Sequence, residues 1–198
     1  MQYKERLEPR PAGWKGVTWP GRKPGKYQWY EIQDTVDYYM SFEQPKIIYP
    51  DIAKESRATL DRESIFLGNT AYIIPINDLY LLGILNSKLV FAYYKRIASV
   101  LGDADKGGRL RWFTQEVVKI PIRPVDPANP ADVARHDQIV SLVDQMLGLN
   151  KKLAESKVPQ TTEMLRRQIE STDRQIDQLV YRLYDLTEEE IKIVESET

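Results

Sequence analysis

The chain of 198 residues contains no cysteine, which excludes disulfide frameworks, thiolate zinc sites and cysteine nucleophiles. It contains a single histidine, His136, so a paired-histidine metal motif cannot form. His136 stands just before Ile139 on an apolar helical stripe. It reads as a boundary residue rather than a catalytic base, which would need a nucleophile beside it. No apolar run approaches the ~20 residues that span a bilayer. The start, Met1 to Arg10, is polar and charged and does not resemble a signal peptide. The expected location is the cytoplasm. Neither common form of glycine-rich phosphate loop is present. The chain is therefore expected to carry no catalytic residue and no metal of its own.

What is present describes an ordinary globular protein. Hydrophobic residues make up 42% and charged residues 29%, enough for one substantial core or a domain with an appendage. The formal net charge of −1 hides an asymmetry. Residues 1–130 carry 19 Lys and Arg against 15 Asp and Glu, whereas residues 131–198 carry 9 against 14. A basic front half favours a polyanionic partner. Scatter over a solvated surface is the other reading of the same counts.

The stretch Pro121-Ile122-Arg123-Pro124-Val125-Asp126-Pro127-Ala128-Asn129-Pro130 is too rich in proline for helix or central strand. It divides the chain into an α+β domain over residues 1–122, a linker over 123–131, and a helical hairpin with a short last helix over 132–198. In the front part, Tyr3 to Glu8 reads as the end of a helix that starts upstream, and Arg10 to Lys26 as a long ordered loop. Strands are expected over Tyr27–Ile32, Lys46–Tyr49, Tyr72–Pro75, Arg109–Phe113 and Val117–Ile122. Asp34 is expected to cap a short helix over Thr35–Phe42, and two consecutive helices are expected over Asp78–Asn86 and Lys88–Ala98. Mixed elements without βαβ alternation indicate an α+β fold. Behind the linker, Asp132 is expected to cap one helix, Thr161 or Thr162 to open a second after Pro159, and Thr187 with Glu190 to form a capping box. Near-heptad spacing of Leu165, Ile169, Ile176, Leu179 and Leu183 makes the two helices an antiparallel pair. Two separate apolar systems imply that the front part folds without residues 131–198.

A nuclease can be assembled on paper from Asp51 and either Glu155-Ser156-Lys157 or Glu190-Ile191-Lys192, since carboxylates with a lysine can hold magnesium and activate water. Both Glu-x-Lys runs fall in or beside the helical tail, away from a strand next to Asp51, and such short patterns arise by chance. Nucleic-acid binding has better material. Gly21-Arg22-Lys23-Pro24-Gly25-Lys26 sets three cations on a kinked loop ahead of Tyr27, Trp29 and Tyr30. Gly107-Gly108-Arg109-Leu110-Arg111-Trp112-Phe113 places two arginines on alternate positions, hence on one strand face. Arginine contacts phosphate or reads guanine through its fork. For both segments the competing reading is a basic surface loop beside buried aromatics.

At these segments an ordered set of motifs stands out: Trp29-Tyr30-Glu31-Ile32; Pro45-Lys46-Ile47-Ile48-Tyr49-Pro50-Asp51-Ile52; Leu67-Gly68-Asn69-Thr70 with Tyr72-Ile73-Ile74-Pro75; Leu81-Leu82-Gly83-Ile84-Leu85-Asn86-Ser87-Lys88-Leu89; and Arg109 to Phe113. Together they resemble the TaqI-like C-terminal specificity domain of adenine-specific DNA methyltransferases, notably single-chain type IIG restriction–modification enzymes. The tail, Asp173 to Tyr184 with Leu186 to Ile191, is similar to the end of the same enzymes, so the likeness runs from about Lys4 to Glu195. The resemblance implies a module that selects the DNA sequence for methyltransferase and nuclease domains. Here neither a cofactor-binding strand–loop nor an Asn/Asp-Pro-Pro-aromatic loop is found, so S-adenosylmethionine and magnesium are expected to belong to those other domains. The expected partners are double-stranded DNA and the catalytic domains of the same enzyme, with self-association through the hairpin as a further expectation. Candidate DNA contacts are Arg22, Lys23, Lys26, Arg109 and Arg111. Asn69 and Asn86 sit in recurring family motifs and read as turn or cap residues rather than adenine readers. The alternative function is a protein-interaction module whose working surface is the hairpin.

Overall fold

The computed structural model describes residues 3–102 and 108–197. It divides into two compact units, one up to Ser41 and one from Phe42 onward. In the first unit regular structure is sparse: α1 (Lys4–Leu7) and a 3-10 turn over Asp37–Tyr39, with α2 (Met40–Glu43) carrying the boundary. The strand expected over Tyr27–Ile32 does not form. The carbonyls of Gln28, Trp29 and Glu31, which a neighbouring strand would engage, accept hydrogen bonds from the Arg22 guanidinium instead. Asp34 caps no helix, because its carboxylate pairs with Lys23. The turn starts later, with Thr35 Oγ1 accepting from the Asp37 amide at 3.2 Å.

The second unit is α+β, as expected. Strand β1 (Lys46–Pro50) runs between β3 (Thr59–Asp61) and β4 (Ala71–Ile74), antiparallel to both, with Ile47 opposite Leu60 and Ile74. A second small sheet pairs β2 (Ile52–Ala53) and β5 (Val100–Leu101) with β6 (Arg109–Arg111), again antiparallel. Helix α3 (Leu79–Asn86) is capped by Asp78, whose Oδ1 accepts from the Leu81 amide at 2.9 Å. Helix α4 (Lys88–Ile97) is capped by Ser87. The strand expected over Val117–Ile122 is absent. Helix α5 (Thr114–Val117) and the turn after it direct the amides of Val117, Val118, Lys119 and Ile120 to carbonyls three or four residues back, leaving none for a ladder.

The tail comprises α6 (Pro130–Glu155), α7 (Pro159–Leu183) and α8 (Glu188–Glu197). Asn129, not Asp132, caps α6, its Oδ1 accepting from the Ala131 amide at 3.0 Å. Asp132 lies in the first turn, buried, and pairs with Arg135 at 2.6 Å. Helix α7 opens at Pro159 rather than at Thr161 or Thr162. Proline is well suited to the first turn, where its missing N–H would have had no partner. The Thr187–Glu190 capping box forms, with the Thr187 amide donating to Glu190 Oε2 at 2.8 Å.

The core crosses the proline-rich stretch. Helix α3 buries Tyr80, Leu82, Gly83, Ile84 and Leu85, so it is apolar around most of its circumference and needs cover on both sides. The sheet residues Ile47 and Tyr49 pack in the same cluster as Ile139, Val143, Ile176, Val180 and Leu183 of the hairpin. Gly83 makes the approach of α3 to α6 possible: a Cβ there would stand 2.8 Å from Val143 Cγ2 and 3.0 Å from Ile139 Cγ2. The segment between is held down as well. Tyr80 donates to the Arg123 carbonyl at 2.9 Å, and Tyr184 donates to the Pro121 carbonyl at 2.7 Å. Residues 42–122 and the hairpin therefore share one core, where two separate apolar systems were expected. A smaller cluster of Ala92, Tyr181 and Val194 fastens α8.

Candidate nucleic-acid interface

The first unit is organised by one side chain. Arg22 donates from Nε to the Leu7 carbonyl at 2.7 Å, from Nη1 to Glu31 at 2.8 Å, and from Nη2 to Gln28 and Trp29 at 3.0 and 3.1 Å. Its guanidinium also stacks on the Tyr27 ring, 4.7 Å from the centroid. The backbone joins in, with the Arg22 amide donating to Glu8 and the Arg10 amide to Arg22. Gly21 fits only without a side chain, because a Cβ would collide with the Glu8 carbonyl oxygen. Arg22 thus ties the irregular backbone, whose carbonyls have no sheet or helix to satisfy them, and its donors are directed inward.

Lys23 and Lys26 are exposed on the same loop. Lys23 pairs with Asp34, and that contact, set against a small burial cost, holds the Asp34 carboxyl below its ordinary range. Lys26 has no ion-pair partner among the described residues. The ring of Tyr27, whose hydroxyl donates to the Lys23 carbonyl, fixes the loop between the two lysines. A Cβ on Gly25 would collide with that ring.

The second basic segment belongs to the second unit. Gly107 lies outside the described residues. On β6, Leu110 is buried while Arg109 is exposed and Arg111 half-buried, so the two arginines share the outer face as the alternation requires. Arg111 is held from two sides. Its Nη2 donates to Asp51 Oδ2 at 3.1 Å, and its guanidinium lies over Phe113 at 4.6 Å. Behind it Trp112 is buried against Tyr94, rings 4.0 Å apart and nearly parallel, and Tyr94 donates to the Arg111 carbonyl at 2.9 Å. Among the described residues Arg109 has no such brace.

Several of the remaining candidates have structural partners. Asn86 clamps the loop before β3, accepting from the Ala58 amide at 2.8 Å and donating to the Ala58 carbonyl at 2.9 Å. Asn69 is exposed on the loop between β3 and β4. His136 tilts over Tyr80 at 5.1 Å, beside Asp137. Asp51 is the partner of Arg111, and Glu190 is committed to its capping box. Among the described residues no three carboxylate or histidine side chains gather to hold a metal ion. No helix among them is long and apolar enough to cross a membrane.

Sequence reasoning found the cations but missed their partners. Asp34 and Asp51 are distant in sequence from Lys23 and Arg111, and nothing in local spacing pairs them. The model for the TaqI-like C-terminal specificity domain matches residues 16–122. A search of curated proteins finds no match.

Proposed function

The chain belongs to the TaqI-like C-terminal specificity domain family, and on that premise we propose that it is a sequence-specific double-stranded DNA recognition module of a type IIG restriction–modification enzyme. The match carries this reading, since it covers both basic segments, from Gly16 through Ile122. In it, Lys26 and Lys23 contact phosphates, Arg109 and Arg111 reach base edges or the backbone from β6, and Arg22 shapes the loop that carries the lysines. Lysine on a solvated loop acts as a mobile point charge, whereas a braced arginine fork presents donors in a fixed plane. Methyl transfer and cleavage, with S-adenosylmethionine and magnesium, are assigned to catalytic domains that the module serves.

The test uses the isolated chain. Its affinity for duplex DNA should fall linearly with the logarithm of salt concentration, because each phosphate contact releases counterions. Incubation with DNA, S-adenosylmethionine and magnesium should yield neither methylated nor cut product. Salt-independent binding, or reproducible chemistry on the DNA, would overturn the assignment.

A further inference from the structure

Residues 131–198 carry 14 carboxylates, yet along one side of the hairpin two facing stripes hold none. The stripe on α6 runs from Gln138 through Gln145 and Gly148 to Lys152. That on α7 runs from Gln168 through Arg174 and Gln178 to Arg182. Between them lie two adjoining clefts of about 620 and 450 Å³, which share Ser171 and Gln175. At ~1.5 Å rise per residue, the distance from Gln168 to Arg182 makes the groove ~21 Å long.

Two observations set this groove apart from an ordinary solvated helix face. Two arginines of the hairpin that lie off the groove are neutralised, Arg135 by Asp132 and Arg167 by Glu163. Lys152, Arg174 and Arg182 are exposed and form no ion pair among the described residues. The second is Gly148, in the interior of the 26-residue α6, where only proline is less favourable. No atom lies within 4 Å of the place its Cβ would take, so packing inside the chain does not require a glycine there. Its effect is to leave the floor of the groove open.

We propose that this groove binds a phosphodiester backbone and forms a second phosphate-contact surface on the hairpin, an inference that rests on the DNA-recognition reading. The chemistry matches a polyanion. Two guanidinium groups and one ammonium neutralise phosphates, glutamine amides and serine hydroxyls donate hydrogen bonds without added charge, and neither cleft is lined by a carboxylate. A length of ~21 Å corresponds to about six base pairs of duplex rise.

Two sets of variants of the full chain test it. Replacing Lys152, Arg174 and Arg182 together with alanine should lower the salt slope of duplex binding by about two to three units. The melting temperature should stay put, because all three side chains are exposed. Gly148→Lys and Gly148→Glu should both raise the melting temperature, since each puts a better helix former into open space. On duplex DNA they should diverge, the lysine tightening binding several-fold and the glutamate weakening it. Equal affinities for the two Gly148 variants would overturn the inference. So would a wild-type slope in the triple variant while Lys23→Ala/Lys26→Ala loses its own share, an outcome that leaves the DNA reading intact and returns the hairpin groove to a protein partner. A wild-type chain without salt-dependent duplex binding would overturn both.

Discussion

At the scale of single residues, buried charge separates positions that organise the fold from positions that contact a ligand. Lys46 and Asp61 form an ion pair with no exposed surface on the lysine. Burial disfavours the Asp61 carboxylate, but Lys46 and the Glu63 and Ile65 amides outweigh it and hold the carboxyl below its ordinary range. Asp177 is the opposite case. It is 4% exposed, accepts one hydrogen bond from the Lys88 amide at 2.9 Å, and its Oδ2 is sealed without a partner. Burial, reinforced by Asp173 and Glu195 and only partly offset by Lys88, pushes its pKa up from 3.8 to about 6. The folded chain then binds this proton more tightly than the unfolded one, so this group's stability is fully present below pH 3.8 and is lost as pH rises to about 6. The loss is on the order of 2–3 kcal/mol at neutral pH. Asp177→Asn keeps the acceptor for Lys88 and cannot ionise. It should therefore be more stable than the wild type at pH 7, by a margin that shrinks toward pH 4. Denaturant titrations of both proteins across that range check this, and a pH-independent difference would remove the titration from the account.

At the scale of elements, the legible parts of the sequence were those decided by local chemistry. The capping box at Thr187, the helices that follow Asp78 and Ser87, the strands around Ile47 and Ile73, and the alternation of Arg109 with Leu110 all follow from neighbours a few residues away. The missed elements were decided from a distance. Tyr27–Ile32 alternates like a strand, but its carbonyls go to Arg22. Val117–Ile122 is apolar enough for a strand, but its amides close helical turns. The largest difference lies between the front part and the hairpin, which the prolines separate in sequence and the core joins in space. One signal was available: the run Leu79 to Leu85 is apolar on every side, more than a small sheet alone can cover. Removing residues 131–198 would expose the face of α3 around Gly83 and take Ile139, Val143, Ile176 and Val180 out of the core. A chain ending at residue 130 should thus lose cooperative thermal unfolding of its sheets. A sharp transition retained in circular dichroism would show that residues 42–122 hold a sufficient core without the hairpin.

At the scale of the whole molecule, a net charge of −1 is compatible with binding a polyanion because the charges are sorted rather than balanced. Cations on the Arg22 loop and on β6 divide into anchored and free, and this division orders the expected effects of substitution. Lys23 must leave Asp34 to reach a phosphate, whereas Lys26 need leave nothing. Lys26→Ala should therefore weaken binding to all duplexes alike and lower the salt slope by about one unit, with Lys23→Ala doing less. Arg111 is fixed by Asp51 and Phe113, and Arg109 projects from the same strand face, one register step along. A fork presented from a paired strand can match the O6 and N7 acceptors of guanine, which a lysine on a loop cannot do with the same selectivity. Arg109→Ala should cost ~1–3 kcal/mol on a duplex selected from random sequence and little on random duplex. Asp51→Asn, which weakens the brace on Arg111 without removing a cation, should erode the same preference while leaving the salt slope unchanged. A competition assay between selected and random duplex measures both. Equal losses on the two duplexes would make the β6 arginines backbone contacts, and sequence discrimination would then have to arise from other loops of the second unit.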